Sequence, residues 1–444
     1  MNLKLRRGLF YTLILIFIIL AIFIIPYSNG WRFDFKNFSF VKLGGIYIET
    51  NPMETQIQID RISFQTKPGF IKSGLVVANL FPKTYYVSVQ KEGYQPWTKN
   101  ITVRPSLVTQ IPQIILLPKN WEKQLIAEGV KDFFMGSTLI YKDTQNNLKI
   151  EEKVIRGNEF LGWFSGEKSV LAHDIKNKIY FVVNISQNNT ALNVNLIFNN
   201  LKDQKNIKDL SQIKTAVPHF SDKNKIFLLT SNAIYLLDFN KPSLDLLKDG
   251  NFTLLDLNEE EIYFSDSNNL YSYNLFTKTE SAIFNSKNTS NLKISANKQF
   301  LAFNDSENLV LINKLNKDDN ESRLINNALY FSFSPDNKKL ATINKHGEIK
   351  IFFIGDDYEV FNKKLLSSSV FNINDIDTSY PILWHSNSSY IFIKTKNDFR
   401  MMEINDDPPI NFHTINVIAD KYFYSPKTED IYIIQDNNLY KLVR

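Results

Sequence analysis

The sequence predicts an all-β ectodomain behind one N-terminal transmembrane helix. The ectodomain divides into a small β-sandwich and a ring of short-stranded units, seven or eight in number. Three observations carry this. The first 31 residues hold one unbroken apolar run. Alternating apolar and polar stretches, punctuated by turn residues, follow between residues 45 and 118. From Trp121 onward a pattern of turn, strand, polar hairpin turn and strand recurs about every 42 residues. Composition agrees: 14% of residues are aromatic, with 35 Phe and 20 Tyr, and strands favour aromatic and β-branched side chains. Glycine is scarce at 15 residues. The abundant asparagines are read as turn residues, because Asn tolerates the left-handed backbone region.

Bulk chemistry narrows the function. A chain of 444 residues suggests two to four domains. Net charge is +5, from 51 basic and 46 acidic residues, a balance that speaks against nucleic-acid binding driven by counterion release. There is no cysteine. That removes thiolate metal sites, cysteine nucleophiles and disulfides, and it fits any compartment, including an oxidising one outside the cell membrane.

The anchor comes first in the chain. Lys4, Arg6 and Arg7 precede a run from Leu9 to Ile25 with no charged residue. Extended by Gly8, Pro26 and Tyr27, the run is long enough to cross a bilayer, and Tyr27 and Trp31 stand where an interfacial aromatic belt is expected. A cleavable signal peptide would end in small residues of A-x-A type, whereas this run continues into "IIPYSNGW". The reading is an uncleaved, single-pass signal-anchor with residues 1–8 as a cytoplasmic tail, 9–27 as the membrane helix and 28–44 as a linker. The bulk of the chain is then extracytoplasmic.

Residues 45–118 read as a β-sandwich of short strands. Ile46 and Ile48 alternate with Tyr47 and Glu49, Asn51-Pro52 breaks the strand, and Ile57 and Ile59 alternate up to Asp60. Val87 and Val89 form another alternating strand, and Gly93-Tyr94 turns the chain toward Ile101 and Val103. This order of features resembles the PEGA domain. The residues that carry the resemblance are Pro52, Asp60, Leu80-Phe81-Pro82, Tyr86-Val87-Ser88-Val89, Gly93-Tyr94 and the nearby Trp97. Only the proline of the name-giving tetrapeptide is kept, and Arg61 and Lys83 stand where the family has glycine. The resemblance implies a non-catalytic accessory or spacer module of a bacterial, membrane-anchored envelope protein. Pro52, Asp60, Pro82, Gly93, Tyr94 and Trp97 are given structural roles, with Tyr94 and Trp97 assigned to core and edge packing.

Residues 119–444 repeat. The clearest copy is "YFSFSPDNKKLATINKHGEIKIFFI", residues 330–354. Phe333-Ser334-Pro335-Asp336 makes a tight turn after an inner strand, Lys339 to Ile343 is a second strand, His346-Gly347 a hairpin turn and Ile349 to Phe353 a third strand. This grammar resembles the unit of WD-type and TolB-type β-propellers, which implies four-stranded blades around a central funnel. Counting weaker copies, the second strands fall near residues 139, 171, 228, 262, 301, 340, 391 and 432, so eight units are counted and seven or eight blades expected. The long interval from 171 to 228 is read as an outer strand plus a loop. The final unit lacks an outer strand, and residues 121–129, "WEKQLIAEG", are expected to supply it and close the ring.

A search for chemistry assigns no catalytic, cofactor-binding or metal-ligating residue. His173, His219, His346, His385 and His413 show no metal spacing, and no nucleophile elbow, P-loop, dinucleotide fingerprint or calcium loop is present. The acidic segment 316–322 is read as a solvated loop, His346 as a blade-stabilising hydrogen bond and Trp384 as core. The expected function is a non-catalytic binding or scaffold protein of the cell envelope. The membrane is one partner, and an envelope protein, peptide or cell-wall glycan another. The alternative is an envelope hydrolase or lyase whose carboxylates converge in the funnel.

Overall fold

The computed structural model describes residues 3–35, 38–65, 74–186, 189–207, 211–286, 288–306, 308–314, 322–325, 327–355 and 363–443. Helix α1 spans Leu3–Ser28, with Pro26 in its last turn. Its stretch Arg6–Ser28 is long and apolar enough to cross a membrane. The segment read as a linker is not featureless. It carries a hairpin of β1 (Trp31–Asp34) and β2 (Ser39–Lys42), paired from Trp31↔Lys42 to Asp34↔Ser39.

The small sandwich follows. One sheet holds β3 (Gly44–Ile48), flanked by β7 (Leu75–Leu80) and β10 (Val108–Gln110). The other has the order β6 (Ile62–Gln65), β5 (Gln56–Ile59), β8 (Thr84–Gln90), β9 (Trp97–Thr102). A short pair, β4 (Thr50–Asn51) and β11 (Ile114–Ile115), completes it. Alternation builds the core: Ile46, Ile48, Ile57, Ile59, Val87 and Val89 all point inward. Asp60 adopts a left-handed backbone at φ 50° and holds its turn closed. Its carboxylate accepts from Tyr86 N at 3.0 Å and from Lys83 Nζ at 2.6 Å, so the lysine found in place of glycine gains an ion-pair partner.

Eight four-stranded antiparallel sheets follow, which resolves the expectation of seven or eight blades to eight among the described residues. Blades one to seven comprise residues 130–154, 159–193, 215–249, 253–285, 289–325, 328–372 and 383–415. Blade eight is residues 421–443 plus β12 (Glu122–Ala127), which pairs with Asn438–Val443 as the outermost strand. The second strand of every blade covers or touches the position expected for it, from Leu139–Asp143 to Asp430–Gln435.

Apolar clusters make these sheets a ring. Each joins two consecutive blades: Ile140 with Val170, Leu171 with Ile226, Phe227 with Phe264, Tyr263 with Leu301, Phe300 with Leu340, Ile343 with Ile391, and Phe392 with Ile433. The eighth cluster joins Tyr432 of blade eight to Tyr141 of blade one and closes the circle. The first strand of each blade lies nearest the axis, since first strands of blades two and three, and of four and five, meet across the blade boundary.

One element departs from the expected loop. After the outer strand Thr190–Asn193, the chain forms helix α2 (Val194–Gln204). Asn193 caps it by accepting from Leu196 N at 3.0 Å. Val194, Phe198 and Leu201 bury between blades two and three. Their spacing of four and three is the helical signal, and the surrounding asparagines obscured it. The acidic segment 316–322 lies outside the described residues except for Ser322.

Candidate binding surface

The turns between first and second strands all open on one face of the ring. In blade six, Ser334 N donates to Lys339 O and Lys339 N to Ser334 Oγ, both at 2.9 Å. Lys339, itself buried, reaches Asp336 Oδ2 at 2.6 Å. Burial alone would raise the Asp336 carboxyl, but the Lys339 ammonium and its hydrogen bonds hold it below the ordinary value. Asp336 N then donates to Ser388 Oγ of blade seven at 3.0 Å, and Ala296 N of blade five to Asn337 Oδ1 at 2.6 Å. Phe333 packs half-buried against the cluster between blades five and six, Pro335 is exposed at the turn, and Gly347 takes φ 81° at the hairpin turn on the opposite face. Asp336 and Asn337 thus lace blade six to blades seven and five.

The histidines scatter. His219 and His385 repeat one device: Asp222 N donates to His219 Nδ1 at 3.1 Å and Asn387 N to His385 Nδ1 at 3.2 Å, each ring closing its own turn. His173 Nδ1 lies 2.8 Å from Glu159 Oε2. His346 is exposed, and the bond at its turn runs from its backbone N–H to Asn344 Oδ1, so Asn344 takes the role expected of the imidazole. His413 is fully buried, and neither ring nitrogen has a partner among the described residues. Trp384 is core, its Nε1 donating to Ser332 O at 3.0 Å. Among the described residues no cluster of three or more His, Asp or Glu is placed to hold a metal ion.

Two carboxylates outside the turns have raised pKa values, and they stand three blades apart. Asp256 follows a β-bulge in the first strand of blade four. Burial raises its carboxyl against the opposing pull of the Leu257 N–H and Lys293. Glu403 ends the third strand of blade seven and belongs to the contact with the small sandwich.

That contact was not foreseen. The Glu403 side chain, 2% exposed, faces Lys99 of β9, which is 0% exposed, with Nζ 3.1 Å from Oε2. The same oxygen accepts from Trp97 Nε1 at 3.2 Å and Asn411 Nδ2 at 2.8 Å, and Lys99 also donates to Asn405 O at 3.0 Å. Burial pushes the Glu403 carboxyl up, and Lys99 leads the groups that oppose it. Two amide clamps flank the pair. Gln95 Nε2 donates to Thr414 O at 2.7 Å while Thr414 N donates to Gln95 Oε1 at 3.0 Å. Thr98 N donates to Asn411 Oδ1 at 3.1 Å while Asn411 Nδ2 donates to Thr98 O at 2.9 Å. Trp97 therefore does pack in a core, but it also joins two domains. Gly93, at φ 78°, accepts from Lys119 N at 2.9 Å, and Tyr94 bridges Pro118, so this turn holds the connecting chain. Ile115 and Leu117 pack into the cluster between blades seven and eight. Pro52 and Pro82 lie at turns away from these bonds.

Across the ring, on the same face, a groove of about 740 Å³ opens at blades three and four. Leu246 and Phe276, 55% and 74% exposed, stand over it. His219 lies in it, stacked on Phe227, with its pKa lowered by burial. Lys205, Lys225 and Lys278 are matched by Asp222, Asp245 and Glu259 among its charged residues. Asp222 is held below its ordinary value despite partial burial, by the Asn224 N–H and Lys225. The arrangement offers apolar area with a surround of both charges in equal number.

The PEGA domain matches residues 43–113. No curated protein matches the chain. Solved structures similar to it include BamB from Moraxella catarrhalis, 8% identical with TM-score 0.42, covering 72% of this chain and 98% of that one. Sqt1 from Saccharomyces cerevisiae is 11% identical with TM-score 0.45, over 72% and 97%. An oligogalacturonate lyase from Vibrio parahaemolyticus is 9% identical with TM-score 0.41, over 73% and 96%. The chain thus carries a PEGA domain and an eight-bladed β-propeller behind one N-terminal apolar helix.

Proposed function

We propose that this protein is a single-pass, membrane-anchored binding and scaffold protein of the cell envelope, without chemistry of its own. Its N-terminus lies in the cytoplasm, and the PEGA domain and propeller lie outside. The PEGA domain holds the propeller through blade seven, and the propeller offers the groove at blades three and four to a partner. The observation that carries the reading is the pairing of exposed Leu246 and Phe276 over that groove, an apolar patch on the propeller surface. Aliphatic and aromatic area ringed by charges of both signs suits a protein segment or peptide better than a cell-wall glycan.

The test is a pulldown from detergent-solubilised membranes, comparing the native chain with Leu246→Ser/Phe276→Ser. Both residues are exposed, so the variant keeps its fold. The reading expects a partner that the double variant fails to retain. A screen with glycan, peptide and ester substrates runs beside it. Turnover that survives repurification and disappears in Asp256→Asn would overturn the reading in favour of a hydrolase or lyase.

A further inference from the structure

The hairpin after α1 exposes apolar surface that nothing in the ectodomain covers among the described residues. Phe35, Phe38 and Phe40 are 79%, 81% and 55% exposed. They are not scattered. The Phe33 ring lies 5.0 Å from Phe35, 6.3 Å from Phe38 and 5.1 Å from Phe40, edge-on in every case. Four phenylalanines thus form one cluster, three of them exposed. A cluster of this kind in water loses much of its burial.

Its position relative to α1 is fixed by several contacts. Arg32 Nη1 donates to Tyr27 O at 2.8 Å, and the guanidinium lies 3.5 Å over the Tyr27 ring. Leu43 N donates to Gly30 O at 3.0 Å, tying the far end of the hairpin to the helix exit. Lys42 Nζ lies 5.4 Å over the Trp31 ring. Three residue steps separate Ser28, the end of α1, from Trp31, so β1 begins no more than about 11 Å from the helix end. The headgroup region of a bilayer is itself roughly 5–8 Å deep on each side.

We infer that the β1–β2 hairpin is a membrane-interface element, with Phe33, Phe35, Phe38 and Phe40 seated in the headgroup–acyl boundary of the bilayer that α1 crosses, and Arg32 and Lys42 placed to meet lipid phosphates. The inference rests on α1 being a membrane span. The occupant is lipid because the cluster continues directly from an apolar helix and mixes aromatic rings with cations, the composition of membrane-interface belts. The hairpin then does more than link. It fixes the height of the PEGA domain above the membrane.

The absence of cysteine from the chain makes the test direct. Single nitroxide labels at Phe35→Cys and Phe38→Cys are compared in the full chain reconstituted into phosphatidylcholine–phosphatidylglycerol vesicles. Phe276→Cys on the propeller and Leu15→Cys within α1 serve as references. Accessibility to oxygen and to a water-soluble nickel chelate reports depth. Labels at 35 and 38 are expected to show an oxygen-to-nickel ratio several-fold above that at 276, approaching the ratio at 15. Nickel access equal to that at 276 would overturn the inference, as would shielding from both reagents, which means that protein or a second copy covers the cluster. A water-exposed label at 15 would overturn the anchor and this inference together. A buried 15 with exposed 35 and 38 would overturn the hairpin alone.

Discussion

Replacing Glu403 by alanine strands a lysine. Lys99 Nζ is 0% exposed and has two acceptors, Glu403 Oε2 and Asn405 O. After the substitution only a neutral carbonyl faces the ammonium, and Trp97 Nε1 and Asn411 Nδ2 lose an acceptor as well. Breaking a buried pair from one side costs about 3–5 kcal/mol, or roughly 10²–10³·⁵ in the docked-to-undocked ratio of PEGA domain and propeller. Removing both charges is far milder, because a buried ion pair is worth little over apolar residues of the same size. Lys99→Met/Glu403→Met should therefore recover most of the loss. The assay is urea denaturation of the full chain in detergent, read by tryptophan fluorescence, since Trp97 lies in the contact. Glu403→Met, Lys99→Met and the double variant complete a cycle. A loss under about 1 kcal/mol for Glu403→Ala, or a cycle additive within about 0.5 kcal/mol, would refute the claim that this pair joins the domains.

His413 is held near pKa 4 by burial, against an ordinary 6.5, so the unfolded chain takes up a proton across this window that the folded chain refuses. The stability is present above pH 6.5 and is lost as pH falls toward 4, by roughly 3 kcal/mol at the lower end. Thermal melts of His413→Leu against the native chain from pH 7 to 4 should show the variant's slope flattened by that amount. Prolines at Lys123 and at Gln124 probe ring closure: adjacent N–H groups on β12 point to opposite sides, so one of the two removes a ladder donor to Asn438–Val443 and costs about 3 kcal/mol, while the other is mild by the same melt. Carbonate extraction should leave the intact chain in the membrane pellet. A soluble form beginning near Ser28 to Gly30 would count against the anchor.

Local pattern made the blades legible. The turn at Ser334 and the strands on either side of it are specified by neighbours within twenty residues, so Phe333, Pro335, Asp336 and Gly347 could be assigned from sequence. Ring closure was legible because a missing outer strand and a spare strand pair by simple count. The PEGA contact was not. Lys99 and Glu403 lie 304 positions apart, each reads as an ordinary surface charge, and only tertiary packing makes them a buried pair. Gln95 and Asn411 have the same character, since an amide that mimics backbone pairing leaves no sequence pattern. Helix α2 was hidden because asparagine, a turn former elsewhere in this chain, here caps and lines a helix.

Ring closure also sets a schedule. Glu122 pairs with Val443, so a strand emerging early must wait for a partner made roughly 320 residues later. At about 5–20 residues per second of synthesis the wait is on the order of 15–60 s. Throughout it Leu125 and Ile126, both still partly exposed in the finished ring, stand on an unpaired edge. On the proposed anchoring, the same residues are tethered close to the membrane by the PEGA domain and α1. Newly made copies side by side on the membrane of that proposal thus each carry a free strand and, later, a free mate for it. Exchange of β12 between neighbours is the assembly error this architecture invites, and it becomes more frequent as copies crowd on the membrane.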